Sequence, residues 1–469
     1  MDEIKTETNE HLEYYQSILG KEFVIWDIDS LQHYAHDETL DLHFLPDIVL
    51  KPKTTNEVSL IMRHCNKYRI PVTPRGAGTG LSGGALPHLG GVVLSTERMN
   101  QILNIDERNL QVTTEPGVIT EVLQNAVKEK GLFYPPDPHS KGSCFIGGNV
   151  AENSGGPKAV KYGVVKDYVL NLEIVLPNGD VIWTGANVLK NATGYNLTQL
   201  VVGSEGTLGI VTKIVLKLIP FPKYDLLIRA PFDSIEKACA AVSAIFISGN
   251  TPSAIEFMDR DAIDMAMEFN EETRLDPSDK TQAHLLIEVD GNNLDVLMHE
   301  IESISEVLNS FGCNDILFAE DASQKERLWK LRKIAGEAAR AFSPYLEEDT
   351  VVPRAELPTL VKGIKKIGKK FGFRSICVGH AGDGNIHVII FREILTDEQW
   401  ENEVKDGIRE IFVLVKNLNG TISAEHGIGL VQKEFMEIIY DPIQMDLMKS
   451  IKKVFDPNNI LNAGKIFDI

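Results

Sequence analysis

Two histidines and an adjacent acid–histidine pair are the residues of this chain best suited to metal and proton chemistry. His380 and His387 stand seven positions apart in GHAGDGNIHVII, where a glycine turn can fold two strand ends together. Glu425 and His426 follow in SAEHGIG. Two imidazoles and a carboxylate at separated positions predict a divalent-metal site with an open coordination position. The alternative is a surface turn with unrelated histidines, because this spacing is not a standard ligand pattern.

His426 is the candidate general base of such a site, because an imidazole titrates near neutral pH. A metal that binds a substrate hydroxyl lowers the pKa of that hydroxyl, and a base can then remove its proton. The alternative for His426 is a polar residue in a glycine turn. The helix-like stretch KERLWKLRKIAGEA adds several cations, which by themselves are typical of a solvated helix face.

A glycine-rich stretch in the first half, TPRGAGTGLSGG at 73–84, is the strongest sign of a dinucleotide. It contains G-x-G-x-x-G from Gly78, and Glu97 lies 19 residues further on, as in a Rossmann fold. A Rossmann loop must open a helix, however, and the following GALPHLGG cannot form one. The sequence therefore predicts an irregular loop whose backbone N–H groups bind a pyrophosphate directly.

Two more glycine clusters favour a large ligand. They are CFIGGNVAENSGG at 144–156 and VVGSEGTLGIVT at 201–212. Each alone is compatible with ordinary turn chemistry. Three such loops together indicate close backbone approach to one extended cofactor.

Composition limits the partners and the compartment. The chain has 469 residues and a formal net charge of −20, which argues against nucleic acid and against a polybasic contact with lipid. Its five cysteines form no C-x-x-C pattern, so a disulfide framework or iron–sulfur site is not expected. The polar start MDEIKTETNE is no signal peptide, and no apolar run is long enough to span a membrane. We expect a cytoplasmic protein.

The segment IPFPKY, 219–224, carries two prolines and marks a boundary between two regions of different predicted secondary structure. Before it, short β-branched runs alternate with glycine turns and occasional helices, which predicts a strand-rich α+β region. After it, amphipathic helices such as LDVLMHEIESISEVLNSFG alternate with strands such as AHLLIEVDG. This pattern predicts an antiparallel sheet covered by helices.

Four motifs together resemble the flavin-binding oxidoreductases of the vanillyl-alcohol oxidase superfamily: PRGAGTGLSGG, GGNVAENSGGPKAVKYG, VVGSEGTLGIVT and FDPNNILNAGK. Within it the chain is similar to the FAD-dependent D-2-hydroxyacid dehydrogenases, which include glycolate oxidase catalytic subunits, D-lactate dehydrogenases and D-2-hydroxyglutarate dehydrogenases. The resemblance implies an α+β fold. Residues 1–220 would form a FAD-binding domain of two α+β subdomains (PCMH-type), 221–415 a substrate domain, and 416–469 a segment that returns to the FAD domain.

The resemblance also implies which residues hold FAD. The pyrophosphate would lie against Pro74, Arg75, Gly76, Ala77, Gly78, Thr79, Gly80 and Ser82. The ribityl chain and isoalloxazine would lie along Pro136, Gly147, Gly148, Asn149, Asn153, Ser154, Gly155 and Gly156. The adenine end would approach Glu205, Gly206, Gly209 and Ile210, with Asn462 near the flavin. The first loop has no histidine or cysteine for covalent attachment, so we expect noncovalent FAD.

The same resemblance implies the chemistry of the second half. His380, His387 and Glu425 would hold a divalent metal such as Zn, Mn or Fe, His426 would act as base, and Arg332 would bind the substrate carboxylate. The substrate would be a 2-hydroxy acid whose C2 hydrogen passes as hydride to flavin N5. Guanidinium suits planar carboxylate recognition.

One position narrows the substrate. Dehydrogenases of 2-hydroxyglutarate carry a lysine for the distal carboxylate, but YLEEDTVVPR has Glu347 at about that place. A glutamate would repel a second carboxylate, so we expect D-lactate or glycolate. The alternatives are a D-2-hydroxyglutarate dehydrogenase, an O2-using alcohol or sugar oxidase of the same superfamily, and a FAD-holding electron-transfer subunit without enzymatic activity.

The resemblance leaves the partners open. Reduced FAD would pass electrons to a separate acceptor, and relatives use an iron–sulfur subunit, an electron-transferring flavoprotein, a cytochrome or quinone. A homodimer, and peripheral contact with the inner membrane through a partner, are compatible with it.

Overall fold

The computed structural model describes residues 2–275, 278–313 and 315–469. The helices are α1 Asp2–Leu19, α2 Ile28–Leu31, α3 Thr55–Tyr68, α4 Thr120–Lys128, α5 Ile146–Glu152, α6 Ala159–Tyr162, α7 Leu197–Val201, α8 Ile235–Ile247, α9 Arg260–Phe269, α10 Leu294–Ser310, α11 Ala322–Lys333, α12 Ala335–Phe342, α13 Leu357–Phe371, α14 Val404–Asn417, α15 Met436–Ile439 and α16 Pro442–Phe455. None of these described helices is both long and apolar enough to cross a membrane.

The strands complete the element order. They are β1 Val24–Ile25, β2 Ile48–Leu50, β3 Val72–Arg75, β4 Val92–Ser95, β5 Ile102–Asp106, β6 Gln111–Thr114, β7 Leu132–Phe133, β8 Val169–Val175, β9 Val181–Trp183, β10 Ile210–Lys217, β11 Ile219–Pro220, β12 Tyr224–Phe232, β13 Ala254–Asp259, β14 Ala283–Gly291, β15 Leu317–Phe318, β16 Tyr345–Val351, β17 Arg374–Gly379 and β18 Asn385–Phe391.

The chain divides into two compact units. The first comprises Met1–Ser154, Val164–Phe221 and Glu425–Ile469, and the second comprises Gly155–Gly163 and Pro222–Ala424. The second unit therefore includes nine residues from within the predicted first domain, and its last residue is Ala424 instead of 415. Where FAD and substrate bind in these units stays a prediction.

Two main sheets form the first unit. One has the order β1-β2-β4-β3, with β2, β4 and β3 parallel, and the other has the antiparallel order β5-β6-β10-β8-β9. Helix α3 packs on the parallel sheet because Val58, Ile61 and Met62 recur on one face and join a buried cluster. Its start is set by a capping box in which Thr54 accepts from Glu57 N and the Glu57 carboxylate accepts from Thr54 N.

The first glycine loop joins β3 to β4 without a helix. These strands are parallel neighbours, and residues 76–91 between them contain only turns, bends and irregular backbone. Gly78 and Gly83 both have φ of +74°, a conformation that favours glycine. The prediction that this loop is not of the Rossmann type is confirmed in this respect, because a Rossmann loop opens a helix at this point.

A seven-stranded antiparallel sheet forms the second unit, in the order β15-β12-β14-β13-β17-β18-β16. Strands β13, β14, β17 and β18 are almost fully buried, because helices cover the sheet. Helices α9, α11 and α12 share a buried cluster with Met258, Val378 and Ile389 on one face. Helices α8, α10, α13 and α14 also contact the sheet and one another. The predicted antiparallel sheet covered by helices is confirmed.

Candidate functional site

The two predicted metal-ligating histidines come together at adjacent strands. His387 lies within β18 opposite Val378 of β17, and His380 directly follows the end of β17 at Gly379. The two rings are 5.5 Å apart between centroids and nearly perpendicular. Each offers a ring nitrogen within 4.8 Å of the other's, close enough for both to ligate one ion. The glycine turn between the two histidines therefore brings their rings together, as the sequence predicts.

Two acids of the neighbouring strand β16 face His387. Asp349 is its direct cross-strand partner, and Glu347 lies two residues along, on the same face of the sheet. The Nδ1 atom of His387 is 3.6 Å from Asp349 Oδ1 and 3.7 Å from Glu347 Oε1. Glu347, which the resemblance makes an obstacle to a second carboxylate, therefore lies beside the His387 imidazole and adds a further oxygen donor.

Asp349 also holds the chain that leads to the acid–histidine pair. Its carboxylate accepts hydrogen bonds from Asn385 Nδ2 at 2.8 Å, Ser423 Oγ at 3.0 Å and Ala424 N at 2.7 Å. Glu425 follows Ala424 directly, so the backbone that precedes it is fixed by a buried strand residue. Asp349 cannot be identified from the sequence, because an acid inside a strand pattern is typical of a solvent-facing position.

Arg332 and His380 share one buried carboxylate. Glu256, in β13, is 1% exposed, and its oxygens lie 2.8 and 3.0 Å from His380 Nδ1. Glu256 Oε2 is also 2.8 Å from Arg332 Nε, in the last turn of α11. Burial opposes ionisation of Glu256, but His380 and then Arg332 outweigh it and lower its pKa. The predicted helix 325–338 is broken just after Arg332, between α11 and α12.

Arg332 is buried with unused hydrogen-bonding capacity. It is 9% exposed, and its Nε–H does not point at Glu256 despite the short distance, so this nitrogen has no hydrogen-bond partner among the described residues. A small cavity beside it is lined also by Arg229 and His284. Burial, and then the charge of Arg229, lower the pKa of His284 to about 3, so this imidazole is neutral. A guanidinium so placed fits an incoming carboxylate.

In the first unit the three glycine clusters converge. A Cβ at Gly76 would lie 3.8 Å from Gly148 Cα, which brings the first and second clusters together. A Cβ at Gly206 would lie 2.7 Å from Pro74 Cγ, which brings the third cluster against the first. Of the predicted flavin residues, Gly147–Asn149 lie in α5, Asn153 caps it with φ of 54°, Ile210 begins β10, and Pro136 lies in the loop after β7.

Orphaned polar atoms in this cradle fit a bound cofactor. Arg75 Nη1 and Ser82 Oγ are buried and have no hydrogen-bond partner among the described residues. A Cβ at Gly80 or Gly148 would meet no atom within 4 Å, so open space lies beside these backbones. Buried donors without partners are rare in folded proteins, and a pyrophosphate would satisfy them. These residues therefore fit FAD.

The loop that carries His426 is fixed by Glu205. The Glu205 carboxylate accepts from Ile428 N and Gly429 N, both at 2.7 Å, while its backbone oxygen accepts from Asn462 Nδ2 at 2.7 Å. Both Glu205 and Asn462 have left-handed backbone, with φ of 50° and 44°. The resemblance implies that Glu205 lies at the adenine end of FAD, and this stays a prediction. In the structure, the Glu205 carboxylate contacts the backbone of residues 428 and 429.

Glu152, which the sequence did not single out, lies beside this loop. Its Oε2 is buried without a hydrogen-bond partner and would clash with a Cβ at Gly427. Burial, and then the charge of Glu205, raise the pKa of Glu152 well above its ordinary value. Burial also raises the pKa of Glu205, against the opposing hydrogen bonds from 428 and 429. The two carboxyls therefore favour a state in which Glu152 keeps its proton.

Comparison with known proteins decides the family. Residues 221–466 match the family described as FAD linked oxidases, C-terminal domain, and residues 46–185 match a FAD binding domain. The chain belongs to the FAD-linked oxidases. This FAD-linked oxidase is an oxidoreductase and a flavoprotein.

Individual relatives cover nearly the whole chain. The FAD-linked oxidase is 40% identical to the glycolate oxidase subunit GlcD of Bacillus subtilis (strain 168), over 92% of each chain. It is 36% identical to the D-lactate dehydrogenase of Anaerostipes hadrus, over 98% of this chain and 97% of that protein. Its fold is similar to that of p-cresol methylhydroxylase with substrate bound, with a TM-score of 0.81 at 18% identity, covering 99% and 97% of the two chains. The PCMH-type α+β fold is confirmed.

Proposed function

We propose that this chain oxidises a small D-2-hydroxy acid, D-lactate or glycolate, to the 2-oxo acid and passes the electrons to a separate acceptor. The observation that carries the proposal is that Arg332 and His380 contact the same carboxylate, Glu256, each at 2.8 Å. A carboxylate-binding cation and a metal-ligating imidazole are thus held close together. A 2-hydroxy acid carries its carboxylate and hydroxyl on adjacent carbons, which suits this spacing.

Each side chain has one role in the proposal. Arg332 binds the substrate carboxylate and sets its orientation, His380, His387 and Glu425 hold a divalent cation, and His426 takes the hydroxyl proton. A metal held by His380, His387 and Glu425 would supply polarisation of the substrate hydroxyl, and FAD held by the glycine cradle would supply the hydride acceptor. The glycine cradle from Pro74 to Ser82 holds the pyrophosphate noncovalently. The names of the two relatives, a glycolate oxidase subunit and a D-lactate dehydrogenase, support this substrate class.

Glu347 supports a substrate with a single carboxylate. It lies beside His387, so a second carboxylate reaching this side of the site would meet a negative charge. Two negative charges close to each other repel, and this repulsion disfavours binding of the second carboxylate. D-2-Hydroxyglutarate is therefore the less suitable substrate.

The test is anaerobic flavin bleaching by a panel of hydroxy acids, with and without a chelator. We expect D-lactate or glycolate to bleach the flavin and the chelated enzyme to react far more slowly. Steady-state kinetics with a dye acceptor should give a higher kcat/KM for these acids than for D-2-hydroxyglutarate. The reverse order would overturn the substrate, stoichiometric peroxide would favour an O2-using oxidase, and failure of every acid to bleach the flavin would favour an electron-transfer subunit.

A further inference from the structure

Glu256 is a buried acid that contacts both the predicted metal ligand His380 and the predicted carboxylate-binding residue Arg332. It lies in the middle of β13, with Leu286 opposite on β14, and β17 borders the other side of β13. An ionised carboxylate in such a place is stable only if cations or hydrogen-bond donors surround it. Two residues that contact Glu256 directly, His380 and Arg332, are both residues that the proposed function uses.

The contact with His380 defines how this imidazole can act. Because Glu256 faces Nδ1 at 2.8 and 3.0 Å, the proton of the neutral ring belongs on Nδ1. That leaves Nε2 as the nitrogen able to ligate a metal. A carboxylate behind a ligating histidine fixes the ring orientation and raises its basicity.

The contact with Arg332 has a different consequence. The cavity beside Arg332 is lined also by Arg229 and His284, and Glu256 is the acid among its lining residues. Without the Glu256 charge, the described residues that line this cavity would include two arginines and no acid. Glu256 therefore attracts Arg332 and holds its guanidinium beside the cavity.

We propose that Glu256 is the positioning residue that sets metal affinity through His380 and carboxylate affinity through Arg332 at the same time. The inference rests on the proposed function, because it takes His380 as a metal ligand and Arg332 as the carboxylate receptor. It adds that one side chain, which contacts both His380 and Arg332, controls both affinities. A substitution of Glu256 should therefore change both the metal affinity and the carboxylate affinity. A substitution of His380 should change only the first, and one of Arg332 only the second.

The experiment measures these two constants in the FAD-loaded protein without turnover. Zn2+ uptake by the metal-free protein is followed in competition with a chelating dye, and oxalate binding to that same metal-free protein is followed by the change in the flavin spectrum. For Glu256→Gln we expect both to weaken on the order of 10- to 100-fold, the usual effect of losing an outer-shell partner. His380→Ala should weaken only Zn2+ binding, and Arg332→Lys only oxalate binding.

Two further variants separate positioning from folding. Asp259→Asn changes another buried acid of the same strand, which pairs with Lys365 at 2.7 Å and should lower stability without moving either constant. Glu256→Asp keeps the charge on a shorter stem, and we expect it to retain part of both affinities. Folding of every variant is checked by its melting temperature and FAD content.

The outcomes are distinct. If wild-type protein binds Zn2+ and oxalate and Glu256→Gln binds both within twofold of it, the inference is overturned while the proposed function stands. If Glu256→Gln loses only one of the two affinities, the shared control is also overturned. If wild-type protein binds no Zn2+, the metal part of the proposed function fails and the inference fails with it.

Discussion

Arg332 is the side chain whose guanidinium geometry should matter most for substrate binding. Replacing it with lysine keeps the charge but loses the planar fork that matches a carboxylate. Hydrogen bonds to charged groups contribute about 1.5–3 kcal/mol, so we expect kcat/KM for the preferred acid to fall roughly 10- to 150-fold. Arg327→Lys, an exposed position of the same helix, is the control and should be neutral. Equal effects of the two changes would contradict the assignment.

Glu152 should make stability depend on pH in a direction opposite to that of most acids. Burial and then Glu205 raise the pKa of Glu152 above its ordinary value of 4.5, so the folded protein binds this proton more tightly than the unfolded chain does. Stability from this group is therefore present below pH 4.5 and is lost as the pH rises toward the folded pKa.

Glutamine removes that dependence because it cannot ionise. We expect Glu152→Gln to melt at the same temperature as wild type near pH 4 and higher than wild type at pH 8, by at least roughly 2 °C. Thermal melts of the two proteins from pH 4 to 8 measure this. Parallel curves across the range would show that Glu152 is not protonated in the folded protein.

Strands and helices are predicted well from the sequence where their pattern depends only on neighbouring residues. The stretch AHLLIEVDG, 283–291, is β14 to the residue, and NIHVIIF is β18. The hairpin predicted at Asn178–Asp180 joins β8 to β9 with Val175 opposite Val181. Alternation and turn residues suffice in such cases, because both depend on neighbours in the chain.

The sequence did not locate residues whose role depends on sheet register. Glu256 and His380 are 124 positions apart and meet only because β13 and β17 are neighbours in the sheet. Asp349 meets His387 for the same reason. In a single sequence an acid inside AIEFMD or LEEDTVV is indistinguishable from one that faces solvent.

The segment Gly155–Gly163 is an element whose attachment can be tested directly. Asp290 of β14 accepts from Lys161 Nζ at 2.7 Å and Tyr162 Oη at 2.8 Å, and Lys158 pairs with Glu288. These contacts attach the segment to the sheet of the second unit. The segment directly follows Ser154, one of the predicted flavin residues.

Asp290→Asn should loosen this segment. We expect a loss of about 1–3 kcal/mol of unfolding free energy, less than for a fully buried pair because Lys161 is partly exposed, and faster tryptic cleavage at Lys158 and Lys161. Asp225→Asn is the control, since its pair with Lys325 at 2.6 Å is half exposed and should change little. Unchanged cleavage and unfolding in Asp290→Asn would contradict an anchoring role.

The cysteines of the whole molecule should not react with thiol reagents until the protein unfolds. All five cysteines are buried and free of disulfides. Burial raises the pKa of Cys65 and Cys377 to about 12 and of Cys313 to about 11, so none of these three is a thiolate at neutral pH. We expect an aromatic disulfide reagent to titrate five thiols in denaturant and fewer than one in the folded protein. Rapid titration of the folded protein would contradict the burial.

The path of the chain between the two units has a consequence for genetics. The backbone passes from one unit to the other at 154/155, 163/164, 221/222 and 424/425. Neither unit can therefore be encoded by an uninterrupted gene fragment. A piece spanning 222–424 would lack Lys158 and Lys161, the cations that pair with Glu288 and Asp290. Recombination that exchanged one half for that of a homologue would have to cut at all four junctions, so the two halves are expected to be inherited together.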